Sequence, residues 1–220
     1  MTTQPLAPRE VHIGSRRLEG LLRLPPDAAG LIIFAHGSGS SRFSRRNTFV
    51  ADELSRYGFA TLLFDLLTDE ESADRRNVFD IALLGERVLE AIDWAAGYGA
   101  VASLPIGLFG ASTGAGAALV AAARRSAVVG AVVSRGGRPD LAGASLQAVR
   151  APTLLIVGGE DYGVIELNEQ AAEHLGCERS VAIVPGATHL FEEPGALESV
   201  VDLASEWFLR HLRRRPTARA

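Results

Sequence analysis

No lysine occurs in the 220 residues, and all 22 basic side chains are arginine. That absence removes several chemistries at once. A Schiff base, a phosphate-loop lysine and a Ser-x-x-Lys catalytic pair all need the amine. Cysteine is nearly as scarce. Cys177 stands alone, so no internal disulfide is expected and a reducing cytoplasm is the natural compartment. Aromatic residues make up 6% of the chain, which leaves the core to Ala, Val, Leu and Ile. Long apolar runs are missing too. Nothing approaches the roughly 18 residues of a membrane span, and the opening MTTQPLAPREVHIG lacks a signal-peptide apolar stretch. The net charge of -4 argues against a nucleic-acid partner, for which a basic domain is expected. The five histidines are scattered without ligand spacing, so neither metal nor cofactor is expected.

What is present is an alternation. Short apolar runs at Leu31–Phe34, Ala60–Phe64, Ile106–Phe109, Val128–Val133, Thr153–Val157 and Val181–Val184 read as strands covered on both faces. Helix-period segments lie between them. Val50, Leu54 and Tyr57 share one face; Ile81, Leu84, Val88 and Ile92 another; Leu197, Val200, Val201, Ala204 and Phe208 a third. Such alternation implies a parallel sheet wrapped by helices in a single α/β domain. Val11–Ile13 and Leu18–Leu24 read as an N-terminal hairpin joined to that sheet. Residues 1–9 read as a loose leader and 214–220 as a basic tail. The gap between Ser134 and Pro152 holds one weak helix and no large lid.

The run Ile106–Phe109 leads into Gly110-Ala111-Ser112-Thr113-Gly114 and then the helical Ala115–Ala123. A G-x-S-x-G segment between strand and helix makes a sharp turn that exposes the serine, with small residues letting strand and helix approach. Gly110, Gly114 and Gly116 also spell the cofactor loop of short-chain dehydrogenases. That loop belongs after the first strand, and the Tyr-x-x-x-Lys pair of those enzymes is impossible without lysine.

A serine nucleophile needs a general base. His12, His174 and His211 fall in a hairpin or helical patterns; His36 and His189 follow strands, at the sheet edge where sites gather. His189 occupies a free loop and is read as the base, while His36 is read as structural. Thr153–Val157 ends in Gly158-Gly159-Glu160-Asp161. Asp161 is chosen to orient His189, with Glu160 the alternative. His36-Gly37-Ser38-Gly39 closes the first parallel strand, and the backbone amides of Ser38 and Thr113 are the expected oxyanion donors.

Together the HGSG, GASTG, GGED and GATH segments resemble the α/β-hydrolase superfamily, from about Val11 to Leu212. Within it the chain is similar to the small, lidless dienelactone-hydrolase-like group. The resemblance implies a mostly parallel sheet of about eight strands with helices on both faces, a triad of Ser112, Asp161 and His189, and an open cleft. It departs at the elbow, where dienelactone hydrolases carry Cys and this chain has Ser112. A small carboxylic ester of short acyl chain, roughly C2–C4, is therefore the expected substrate. Acyl transfer or thioester hydrolysis by the same triad is the alternative, and a non-catalytic binding domain of the same fold is a third reading. A homodimer is left open.

Arginine clusters follow two strands. Arg42, Arg45 and Arg46 lie just beyond Gly39, and Arg135 and Arg138 follow Val133. Solvated pairs with Glu192, Glu193 or Asp140 would explain them. The alternative is that Arg42 or Arg135 binds a substrate carboxylate or phosphate, with Arg135 preferred.

Overall fold

A computed structural model describes residues 6–212. The expected tail at 214–220 and the first five residues of the expected leader lie outside the described residues. An antiparallel hairpin, β1 (Arg9–Ile13) and β2 (Leu18–Arg23), starts the chain. Six parallel strands follow: β3 (Leu31–Ala35), β4 (Ala60–Phe64), β5 (Ile106–Ala111), β6 (Val129–Arg135), β7 (Thr153–Gly158) and β8 (Arg179–Val184). The sheet runs β1-β2-β4-β3-β5-β6-β7-β8, and β2 alone runs opposite to the other strands. After β3 the chain steps outward to β4, then crosses back to lay β5 on the other side of β3. That reversal opens a crevice beyond the carboxyl ends of β3 and β5.

Two layers cover the sheet. Helices α4 (Ile81–Gly97) and α5 (Thr113–Arg124) pack on one face; α1 (Arg45–Arg56) and α7 (Ala196–His211) pack on the other. The faces are filled differently. Against α1 and α7 sit Phe34, Phe59, Phe109, Phe191, Trp207 and Phe208, with the Phe34 and Phe109 rings 4.8 Å apart. On the α4/α5 side alanines of α5 meet aliphatic side chains, and Phe64 is the one ring among the fully buried described residues there. Scarce aromatics are thus concentrated in one layer, while the other is thinned by alanine to bring α5 close to β5.

Two expectations need correction. The last run was read as a strand covered on both faces, but β8 is the sheet's edge and Ile183 on it is exposed; a parallel edge strand has a neighbour on one side only. The weak helix between Ser134 and Pro152 is a 3₁₀ segment, Pro139–Ala148, broken at Gly143. Helix α6 (Tyr162–His174) separates β7 from β8. Among the described residues no helix is long and apolar enough to cross a membrane.

Between β4 and α4 two single-turn helices occur, α2 (Asp69–Ser72) and α3 (Arg75–Val78). Four residues cannot hold a helix by propensity; side chains hold these. Thr68 and Glu71 form a reciprocal capping box on α2. Glu71 also accepts from Arg87 of α4 at 2.6 Å, and Arg87 binds Glu90 at 3.0 Å with its side chain only 3% exposed. Arg16 touches the same two carboxylates, at 3.6 Å to Glu71 and 2.8 Å to Glu90, but from the solvent side, so removing Arg87 takes away their buried partner. Arg87→Ala should therefore cost roughly 3 kcal/mol in urea unfolding. A loss below about 0.5 kcal/mol would show that solvent already screens the cluster.

Candidate active site

Ser112 follows β5 with φ 51 and ψ −125, the conformation of a residue forced through a turn that most side chains avoid. Its surroundings explain how the chain accepts it. A Cβ on Gly110 would collide with the backbone of Ala115, and one on Gly114 with the carbonyl oxygens of Ala35 and His36. Only glycine permits these approaches of α5 to β5 and β3. The Ser112 amide donates to the Arg135 carbonyl at 3.4 Å, and the Ser112 carbonyl accepts from Ala115 and Arg138. The hydroxyl itself makes no hydrogen bond with another described residue.

Asp161 is the N-cap residue of α6, where a carboxylate ordinarily caps the helix. Here it makes no capping bond. Instead its Oδ2 accepts from His189 Nδ1 at 2.6 Å. Nδ1 then carries the ring proton, and Nε2 is left as an acceptor. Glu160, the sequence alternative, is turned outward to the Tyr162 hydroxyl at 2.6 Å. The His189 loop is clamped by Glu193, which accepts from the Thr188 amide at 3.1 Å and its hydroxyl at 2.6 Å. Those bonds hold the Glu193 carboxyl below the usual carboxylate range. Among the described residues Glu193 is thus not an arginine partner, and its clamping role has no sequence signal. Gly136 brings the loop to the elbow: a Cβ there would lie 3.0 Å from the His189 carbonyl and 3.7 Å from its ring Cε1. Ser112, Asp161 and His189 therefore occupy one edge, but no hydrogen bond joins Ser112 to His189.

The Ser38 amide, an expected oxyanion donor, is engaged. It donates to Thr113 Oγ1 at 2.9 Å. A bound oxyanion would have to compete with that hydroxyl for it. Gly37 lies against the serine, since a Cβ on it would be 2.9 Å from Ser112 Cβ. From there a cleft of about 310 Å³ extends towards β4, walled by Leu66, Leu67, Val78 and Leu84 with Asp65 and Asp69 at its polar side. The two short helices supply part of this wall.

His36 ties the wall to the loop. Its Nδ1 donates to the Gly37 carbonyl at 2.9 Å, and its Nε2 accepts from the Leu66 amide at 3.1 Å. Burial pushes its pKa below the ordinary 6.5, outweighing the Gly37 bond and the nearby charge of Asp65. Protonation would place a second N–H against the Leu66 donor.

The arginines divide. Arg42, one of the two arginines expected to contact substrate, pairs with both Asp65 and Glu19, so both arms of its fork are engaged in this structure. Arg46 binds Glu192 at 3.0 Å and Arg138 binds Asp140 at 2.7 Å, as solvated pairs would. Arg135 has no carboxylate partner. Among the described residues no three His, Cys, Asp or Glu side chains gather where they could hold a metal ion.

Comparison with known proteins agrees with this architecture. The sequence profile described as "Dienelactone hydrolase family" matches residues 18–211. A dienelactone hydrolase from Anabaena variabilis superposes with a TM-score of 0.90 at 53% identity, covering 94% of this chain and all of that one. Est1E from Butyrivibrio proteoclasticus shares the fold at a TM-score of 0.76 and 17% identity, over 93% of this chain and 98% of its own. Two Mycobacterium tuberculosis proteins, each provisionally named a phosphoribosyl transferase, are 58% identical over 210 residues. That is 94% of this chain and 47% of theirs, so the chain spans about half the length of these curated relatives.

The environment of His36 has a consequence for acid stability. As pH falls through 6.5 the unfolded chain takes up a proton that the folded chain still refuses, so stability declines below that value. The melting-temperature advantage of the wild type over His36→Gln should be largest above pH 7 and shrink towards about pH 5. A difference that stays constant across this range would contradict a buried neutral His36.

Proposed function

Because the chain belongs to the dienelactone hydrolase family, and carries serine at the elbow, we propose that it hydrolyses small carboxylic esters with Ser112 as nucleophile. The observation that carries this reading is the 2.6 Å bond from His189 to Asp161 beside a serine at φ 51. On this reading Ser112 Oγ attacks the ester carbonyl as its proton passes to His189 Nε2. Asp161 keeps the ring in the tautomer that can accept it and stabilises the resulting cation. The tetrahedral oxyanion is held by the Thr113 amide and by the Ser38 amide, which exchanges Thr113 Oγ1 for the substrate oxygen. The proton returns to the leaving alcohol, and the acyl-enzyme is cleared by water through the same steps reversed. The phosphoribosyl transferase name belongs to proteins about twice as long and does not bear on Ser112.

Reaction of the full chain with a fluorophosphonate probe, read by intact mass, tests the nucleophile directly. One adduct is expected, absent in Ser112→Ala. Ester turnover should fall by about 10⁴-fold in Ser112→Ala and by a similar factor in Asp161→Asn. Glu160→Gln should change it little, since that carboxylate faces Tyr162. Retained turnover in Ser112→Ala, or a larger loss in Glu160→Gln than in Asp161→Asn, would overturn the assignment.

Acyl groups are placed in the cleft walled by Leu66, Leu67, Val78 and Leu84. Each methylene buried there contributes about 0.8 kcal/mol, roughly a fourfold gain in kcat/KM. Butyrate esters should therefore exceed acetates. Long chains such as about C12 should be poor, because no large lid covers their remainder. Rates rising steadily to that length would mean an apolar channel beyond this cleft.

A further inference from the structure

Most arginines near the candidate site answer to a carboxylate, but Arg135 does not. It ends β6, it is 8% exposed, and no carboxylate of the described residues lies within ion-pair distance. Its Nη2 makes one long hydrogen bond, 3.4 Å to Asn47 Oδ1. Its Nη1 is buried without any partner. The ring of Phe191 lies 5.9 Å from the guanidinium carbon, a weak contact for a buried cation. Leaving a buried charge unpaired is among the more destabilising arrangements available to a protein. Burial and the neighbouring Arg46 push the Arg135 pKa down to about 10, still far above neutrality, so the charge is present.

A second guanidinium stands close. Arg46 also has a buried Nε without a partner, while its Nη1 is held by Glu192. Glu192 neutralises Arg46, which leaves a single uncompensated positive charge. One anionic group matches that balance. The position bears on substrate as well. In the sheet β5 lies between β3 and β6, so the end of β3, where the cleft begins, and the end of β6, which carries Arg135, flank the end of β5 that leads into Ser112. The Arg135 carbonyl itself accepts the Ser112 amide.

We infer that Arg135, with Asn47 and Arg46, binds one anionic group, a carboxylate or a phosphate, on the half of the ester opposite the apolar cleft. The inference rests on the esterase reading for its link to turnover, but not for binding. The guanidinium fork suits two-point contact with either anion, and a lysine at this place could shed its charge, whereas arginine cannot.

Binding and turnover separate the two proposals. In Ser112→Ala full chain, butyryl glycolate and 2-(butyryloxy)ethyl phosphate should each raise the melting temperature saturably, whereas neutral propyl butyrate should not. The anion with the lower Kd identifies the natural group. The effect should vanish in Ser112→Ala/Arg135→Gln and weaken in Ser112→Ala/Arg135→Lys, which keeps the charge but not the fork. The Lys variant also serves if the Gln variant fails to fold. In the chain with Ser112 intact, the kcat/KM ratio of the preferred anionic ester to propyl butyrate should drop about tenfold or more on Arg135→Gln. Anion binding that persists unchanged in both Arg135 variants, or its absence in Ser112→Ala, overturns the subsite. Anion binding without hydrolysis of any ester keeps the subsite and removes the esterase reading. Hydrolysis without anion discrimination does the reverse.

Discussion

A serine backbone at φ 51 and ψ −125 is held against a penalty of about 1–3 kcal/mol, and the rest of the site is arranged around it. The neighbours that hold it are specific. Arg135 takes the Ser112 amide, and Ala115 and Arg138 give theirs to its carbonyl. Gly110 and Gly114 let α5 press against β5 and the end of β3 where any side chain would collide. The alanine-rich packing of α5 extends the same closeness along the helix. Once the turn is fixed, Gly37 brings the loop after β3 to the serine and Gly136 brings the His189 loop to the elbow. The concentration of large rings in the α1/α7 layer is the complement of this.

Arginine as the sole cationic side chain shapes the electrostatics. A guanidinium keeps its charge in nearly any setting, so each buried arginine needs an anion or leaves a deficit. Arg87 and Arg42 each meet two carboxylates, and these pairs anchor the segment between β4 and α4 that walls the cleft. Arg124, Arg125 and Arg210 form exposed pairs that solvent screens. Among the described residues, Arg135 is the buried arginine at the candidate edge that has neither arrangement, while Arg45, also without a carboxylate partner, is exposed to solvent. The contrast is informative because carboxylates are abundant in this acidic chain, so the missing partner at Arg135 is not a shortage of anions.

How much of this could be read beforehand depended on range. Strand runs, the hairpin and the strand–turn–helix at Ser112 are local signals, and each lies within a residue or two of its expected place. The placement of Asp161 and His189 at the ends of β7 and β8 follows from parallel topology, which sends every such loop to one edge. What was illegible is non-local. Helices α2 and α3 are too short for periodicity to detect; their caps at Thr68 and Asp74 are local, but the tie of Glu71 to Arg87, sixteen residues on, is not. The Arg42 pairing with Glu19 and Asp65 joins three separate segments. The occupied Ser38 amide depends on a side chain seventy-five positions away. The exposure of β8 is a property of sheet order, which apolar composition does not encode.

Sheet order also determines what kind of site the edge can be. With β5 between β3 and β6, any group on Ser112 is flanked by two strand ends that the fold leaves free to differ. The β3 side ends in a glycine loop over a cleft walled by Leu66, Leu67, Val78 and Leu84, with Asp69 at its border and Asp65 held by Arg42. The β6 side ends in a buried guanidinium beside the first turn of α1, where the helix dipole adds to the positive potential. A neutral symmetric ester would use one flank and waste the other. On the reading proposed above, an ester with one apolar and one anionic half would be oriented by both, because reversing it would set the anion against the aliphatic wall and the hydrocarbon against Arg135. On that reading the asymmetry would supply direction in the binding step, which neither the elbow nor the Asp161–His189 pair can provide.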